Sequence, residues 1–122
     1  HGWIYGRGKL SLGEGTWLSP GVNLYTHQAA TISIGKSCDI GPGVNFITGT
    51  HEIGTTERRA GTGIAKSISI GDGTWIGANS TILAGVDIGT GCVIAAGSVI
   101  TNSVPDNRLV AGVPGKVKSD LQ

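Results

Sequence analysis

A beat of six residues constrains the fold of this chain more tightly than any other feature. From Ile70 the sequence reads IGDGTW, IGANST, ILAGVD, IGTGCV, IAAGSV and ITNSVP without a gap. The same hexad shows earlier as LGEGTW and LSPGVN from Leu12, and as IGKSCD, IGPGVN and FITGTH from Ile34. Self-similarity at a fixed short period marks stacked units, none of which can bury its apolar face alone. The first position of each hexad is Leu, Ile or Phe. The fifth is small or β-branched: Thr16, Val22, Cys38, Val44, Thr50, Thr74, Ser80, Val86, Cys92, Ser98 and Val104. Both positions are therefore expected to face inward. The third and fourth positions read EG, PG, KS, PG, TG, DG, AN, AG, TG, AG and NS, dipeptides that turn the chain and tolerate positive φ. A strand of about four residues and a two-residue corner, three times per coil, make a triangular prism of about 18 residues per coil, with coils about 4.8 Å apart. Amphipathic helix is excluded, because a period of six with small residues at every corner leaves no apolar stripe at helical spacing.

Composition agrees with a fold driven by its backbone. Glycine supplies 22 of the 122 residues, methionine none, and aromatic side chains only 5%. The length suits one domain, 1–122. A formal net charge of +1 gives no general affinity for nucleic acid or a membrane surface. No apolar run reaches the roughly 18 residues that a membrane span needs, so a cytoplasmic setting is the expectation.

The beat fails twice. After Asn23 and Leu24 one corner is stretched through Thr26 to Thr31, and after Thr50 the chain is expected to leave the prism over about 52–67, returning at Ile68. A long irregular excursion in so regular a coil signals use. The second excursion, holding GTTERRAGTGIAK, is polar and glycine-rich, and His51 stands at its point of departure. The last stretch, about 106–122, is read as a C-terminal cap.

The hexads covering nearly the whole chain resemble the left-handed parallel β-helix of the hexapeptide-repeat transferases. The run TGTHEIG before the long loop is similar to the corresponding region of the maltose and galactoside type of sugar O-acetyltransferase. The resemblance implies a reaction and its parts. His51 is the general base that takes the proton of a carbohydrate hydroxyl during attack on acetyl-CoA, a role suited to an imidazole. Asn23 lies near the reacting centre, the backbone N–H of Ala78 meets the oxyanion, and Trp75 forms an aromatic wall. Ala96, Thr101 and Asn102 match positions along the acetyl-CoA path, and Lys116 matches a basic residue near the nucleotide. At Asn102 the sequence departs from a lysine usual in these enzymes, and Lys118 or Arg108 is a candidate to replace that charge. Direct transfer needs neither a covalent intermediate nor a metal. Cys38 and Cys92 sit in one inward column, two coils and about 10 Å apart, too far for a disulfide.

Asn23 and Trp75 are expected on different prism faces, with the strand of 50–53 on the third, so one chain cannot unite them. A homotrimer with a site in each cleft does so, and outward Trp17 and Tyr25 add apolar surface for the contact. Competing classes fare worse. A zinc-dependent carbonic anhydrase of the same prism needs three histidines, and the chain has only His1, His27 and His51, with Thr56 five residues past the last. An ice-binding or purely structural prism calls for uniform threonine columns and no long loop. An oligomerisation tail of a larger transferase and an amino-sugar or xenobiotic N- or O-acyltransferase are the remaining alternatives. Arg58 and Arg59 in the loop suit either an anionic sugar or plain solvation.

Overall fold

The computed structural model describes residues 2–122, and they form the prism that the hexads call for. Its first face stacks β1 (Trp3–Tyr5), β4 (Asn23–Tyr25), β7 (Asn45–Ile47), β12 (Thr81–Ile82) and β15 (Val99–Ile100). The second holds β2 (Lys9–Leu12), β5 (Thr31–Ile34), β10 (Ile68–Ile70) and β13 (Asp87–Ile88). The third holds β3 (Trp17–Leu18), β6 (Asp39–Ile40), β11 (Trp75–Ile76), β14 (Val93–Ile94), β16 (Arg108–Ala111) and β17 (Lys116–Asp120). The strand pairings between coils are parallel, while the closing β16–β17 pair, the hairpin of β8 (Gly49–Ile53) with β9 (Ala60–Ala65) and the single bridge His27–Ala30 are antiparallel. This is a left-handed parallel β-helix.

Strand partners record the insertions. Where the beat is unbroken, the partner of Trp75 is Val93, one 18-residue coil on. Across the first interruption Trp17 pairs with Asp39, and across the second Asp39 pairs with Trp75. The prism keeps its register because the extra residues leave it sideways.

Burial explains why. The first positions Ile40, Phe46, Ile76, Ile82 and Ile94 are fully buried along the axis, each burial stabilising by about 1.5–3 kcal/mol. Leu12, on the edge strand β2 of the second face, is 45% exposed. Polar fifth positions are not orphaned. Thr16 Oγ1 donates to the Gly35 carbonyl (2.6 Å) and accepts the N–H of Cys38 (3.1 Å), and Thr74 repeats this with Gly89 (2.8 Å) and Cys92 (3.1 Å). The Cys38 and Cys92 thiols donate to the carbonyls of Gly71 and Pro105, remain free, and flank Thr74 in one column. The fourth position takes the positive φ, as at Gly43 (72°), Gly73 (70°) and, without glycine, Asn79 (60°).

Two expectations need correction. Thr50 is exposed. The inward corner residue of that coil is Thr48, fully buried, whose hydroxyl donates to the Tyr25 carbonyl at 2.7 Å. Once Thr48 has turned inward the chain is free to leave, so the excursion starts at Gly49 rather than near Glu52, and its neck is closed by the Lys66 N–H on the Thr48 carbonyl (2.9 Å). It follows that 50–53 is not a prism strand on a third face. It is one arm of a hairpin.

Candidate active site

The hairpin carries His51 on β8, opposite Gly63 on β9. His51 Nδ1 lies 3.1 Å from the Gly61 carbonyl oxygen. A carbonyl can only accept, so Nδ1 carries the hydrogen and the neutral ring keeps its lone pair on Nε2. A side chain at Gly61 would press on the Glu52 carbonyl, so glycine lets the two arms close around the bulge between His51 and Ile53. The tip is self-contained. Gly54 donates to the Arg59 carbonyl, and Arg59 Nη1 donates back to the Gly54 carbonyl at 3.2 Å. The Thr55 hydroxyl, the residue's own backbone N–H and the Thr56 hydroxyl hold the exposed Glu57 carboxyl below its usual range. Arg59 thus braces the tip, and both Arg58 and Arg59 are exposed.

On the first face, beside the hairpin's base, Tyr25, Asn45, Ile47 and Gly49 line a shallow depression. Asn23 lies one coil below Asn45 and donates from Nδ2 to Asn45 Oδ1 at 3.0 Å. Tyr5 and Tyr25 stack with ring centres 4.6 Å apart, so Tyr25 is packed within the chain as well as presented outward. Sequence reasoning passed over Asn45. Its signal was present: GVNL and GVNF repeat one coil apart, with asparagine at the same place in the hexad.

On the third face Trp75, Ala78 and Ala96 line one depression, walled also by Gly41, Gly77 and Leu109, and Trp75 is 56% exposed. At the corner between the third and first faces, successive coils place Pro20, Pro42, Ala78 and Ala96 in a column. The prolines have no N–H. The amides of Ala78 and Ala96 do, and among the described residues neither has an acceptor within the chain. The column's carbonyls, in contrast, are used along the axis: Pro42 accepts from Asn79, and Ala78 from Gly97. Two outward N–H groups stacked one coil apart beside an indole are what an oxyanion and an extended amide-bearing arm would meet.

Lys116 lies opposite Ala111 in the β16–β17 pair, towards the C-terminal end of this same edge. Lys118 is exposed on the same strand. Arg108 pairs with Asp120 at 2.9 Å and donates to the Asp106 carbonyl at 2.7 Å. Thr101 and Asn102 are exposed past β15, at the corner between the first and second faces. A single chain therefore brings Trp75, Ala78 and Ala96 together, and Asn23 shares a face with the hairpin's base. It does not bring these two groups to each other. Among the described residues no group of three His, Cys, Asp or Glu side chains is placed to hold a metal ion.

The bacterial transferase hexapeptide model, six repeats long, matches residues 67–102. Among solved structures, a hexapeptide-repeat-containing acetyltransferase from Vibrio cholerae, complexed with acetyl coenzyme A, is 31% identical with a TM-score of 0.84, over 99% of this chain and 71% of that one. The chain belongs to the hexapeptide-repeat acetyltransferases. A maltose O-acetyltransferase from Clostridium difficile superposes with a TM-score of 0.83 at 27% identity, over 100% of this chain and 69% of that one. The galactoside O-acetyltransferase of Lactococcus lactis is 36% identical over 107 residues, which is 88% of this chain and 52% of the relative. This hexapeptide-repeat acetyltransferase chain spans about half the length of the curated relatives it matches, 43% to 52% for three of them.

Proposed function

We propose that the chain carries out acetyl-CoA-dependent O-acetylation of a hydroxyl on a sugar or glycan precursor, in the cytoplasm, as a step of polysaccharide or glycolipid synthesis. The observation that carries this reading is the 3.1 Å contact between His51 Nδ1 and the Gly61 carbonyl: with Nδ1 held there, Nε2 is the side that accepts a proton. Support for the acceptor class comes from the maltose and galactoside enzymes the chain resembles. In this reading His51 Nε2 removes the acceptor hydroxyl's proton as its oxygen attacks the thioester carbon. The Ala78 N–H receives the negative charge that develops on the thioester oxygen, and the proton passes to the departing thiolate. Ala96, Thr101 and Asn102 border the donor's path, Trp75 walls it, and Lys116 faces its phosphates.

The two halves of this machinery lie on different faces of one prism, so the working unit is a homotrimer in which one chain's third face meets its neighbour's first face. The outward Trp17 and Trp75 supply the apolar contact.

Thiol release from acetyl-CoA is the test, read across a panel of sugars and amino sugars. His51→Ala should lower turnover about 10²-fold or more while acetyl-CoA binding stays within a few-fold. Unchanged turnover removes His51 from the mechanism. A mixture of His51→Ala and Ala78→Pro chains, each nearly inactive alone, should regain activity once subunits exchange, because a mixed cleft can hold one intact half from each. No recovery after confirmed exchange would place both halves in one chain.

A further inference from the structure

Asn45 has no role in the machinery above, yet it lines the depression beside the hairpin's base and touches the one polar side chain on that face to which a role has been given. Its two amide ends are both occupied. Nδ2 donates to the Gly43 carbonyl at 3.3 Å, and Oδ1 accepts from Asn23 Nδ2 at 3.0 Å. The polarity of this chain is not arbitrary. The Gly43 carbonyl can only accept, so the nitrogen of Asn45 must face it. The oxygen of Asn45 then faces Asn23, which must answer with its own nitrogen. Asn23 Oδ1 is thereby left as the end not used by Asn45. A lone surface asparagine exchanges its two ends at little cost, whereas this one is set by a backbone carbonyl two residues away from its neighbour in the next coil.

We infer that Asn45 is a positioning residue: through the Gly43 carbonyl it fixes the amide of Asn23 so that the acceptor site presents a hydrogen-bond acceptor, and an incoming acetyl acceptor is held by a group that donates. The ligand class is a hydroxyl or amine donor, as a sugar or amino sugar carries; a carboxylate or keto oxygen at that point would meet the Asn23 oxygen head-on. This rests on the reading of Asn23 as part of the acceptor site, but the lock itself does not, and the two are tested apart.

The lock is read without any substrate. In the side-chain amide region of a nitrogen–proton correlation spectrum, the Asn23 pair is assigned by its loss in Asn23→Ala. In the unaltered chain the proton donated to Asn45 should lie downfield of its free-amide position and exchange slowly with solvent. In Asn45→Ala it should move to the free-amide position and exchange faster, and in Asn45→Asp, which keeps an oxygen opposite Asn23 Nδ2, it should stay downfield. Asn23 signals that ignore Asn45→Ala overturn the lock.

The consequence is read by acetyl transfer to methyl β-galactoside and to maltose as probes. Asn45→Ala should raise the acceptor KM about 5- to 20-fold and leave the acetyl-CoA KM unchanged, and Asn45→Asp should recover most of the loss. Since Asn45 acts through Asn23, the double variant Asn23→Ala/Asn45→Ala should be no worse than Asn23→Ala alone. Additive losses, or a rise in the KM for acetyl-CoA, overturn the positioning role. If Asn23→Ala itself leaves acceptor kinetics unchanged, what fails is the placing of Asn23 in the acceptor site, while the spectrum still decides the lock.

Discussion

Two corners of the same prism treat the same backbone group in different ways. Between the second and third faces, the third-position amides of Lys36 and Thr90 donate to Asp72 Oδ1 at 2.9 Å and to Asp106 Oδ1 at 2.8 Å, each carboxylate reaching back from the next coil. Between the third and first faces the matching column is Pro20, Pro42, Ala78 and Ala96. It either lacks the N–H or leaves it without an acceptor among the described residues. The geometry of the coil is shared, so the difference is one of side chains alone. A carboxylate that caps a corner amide satisfies it and closes it to any ligand. An alanine leaves the donor standing outward, at no cost while water reaches it, and ready for a negative or carbonyl oxygen once a neighbour excludes that water. Among the described residues, carboxylates close alternate coils of the first edge, at Lys36 and Thr90, and close none of the second.

The sharpest way to break this contrast is Ala78→Pro. Proline already stands at the equivalent place in two preceding coils, so the backbone there accepts it and the substitution removes little besides the N–H. Turnover should fall about 10²- to 10³-fold with the melting temperature nearly unchanged. Parallel loss of folding would mean that Ala78 is structural, like its counterparts on the capped edge. A smaller effect is expected at the far end of the open edge. Lys116→Ala should raise the acetyl-CoA KM about 3- to 20-fold, spare kcat and flatten the dependence of KM on salt, and at the other corner, between the first and second faces, Asn102→Lys should tighten donor binding. The smallest concerns the capped edge. Asp72→Ala leaves the solvent-reachable Lys36 N–H without its carboxylate and should cost about 0.5–1.5 kcal/mol of stability by urea titration. Acetyl transfer should stay within about two-fold of the unaltered chain. Loss of catalysis in that variant would remove the distinction between the edges.

The prism could be read from the chain because its code is local. A hexad announces its own inward positions and its own corner, and Ile76, Thr74 and Asn79 behave as their places in the repeat require. What could not be read depends on partners brought close only by stacking. Thr48 in place of Thr50 as the inward corner residue follows from a hydroxyl meeting the Tyr25 carbonyl a coil away, and no property of the hexad distinguishes the two threonines. Arg108 looked like a free cation, because its partner Asp120 lies on an antiparallel strand that has no hexad. His51 was visible as the place where the rhythm stops. Its hydrogen bond to Gly61 depends on how two irregular arms fold together, which periodicity does not describe.

The neck of the hairpin has a consequence for change over generations. Thr48 and Lys66 meet through one backbone hydrogen bond, and the coil continues from Ile68 as though nothing had intervened, with Ile68 beside Ile32 in the coil below. Residues beyond the neck can lengthen, shorten or be exchanged with little penalty to the rest, since the entropy of closing a loop rises only slowly with its length. The donor edge at Ala78 and Ala96 lies on other strands and would not register the exchange. His51 stands on this hairpin, so in the proposed reaction a graft that keeps both arms and exchanges only the tip, residues 54–59, would alter what meets the acceptor while His51 and the edge at Ala78 and Ala96 stay as they are.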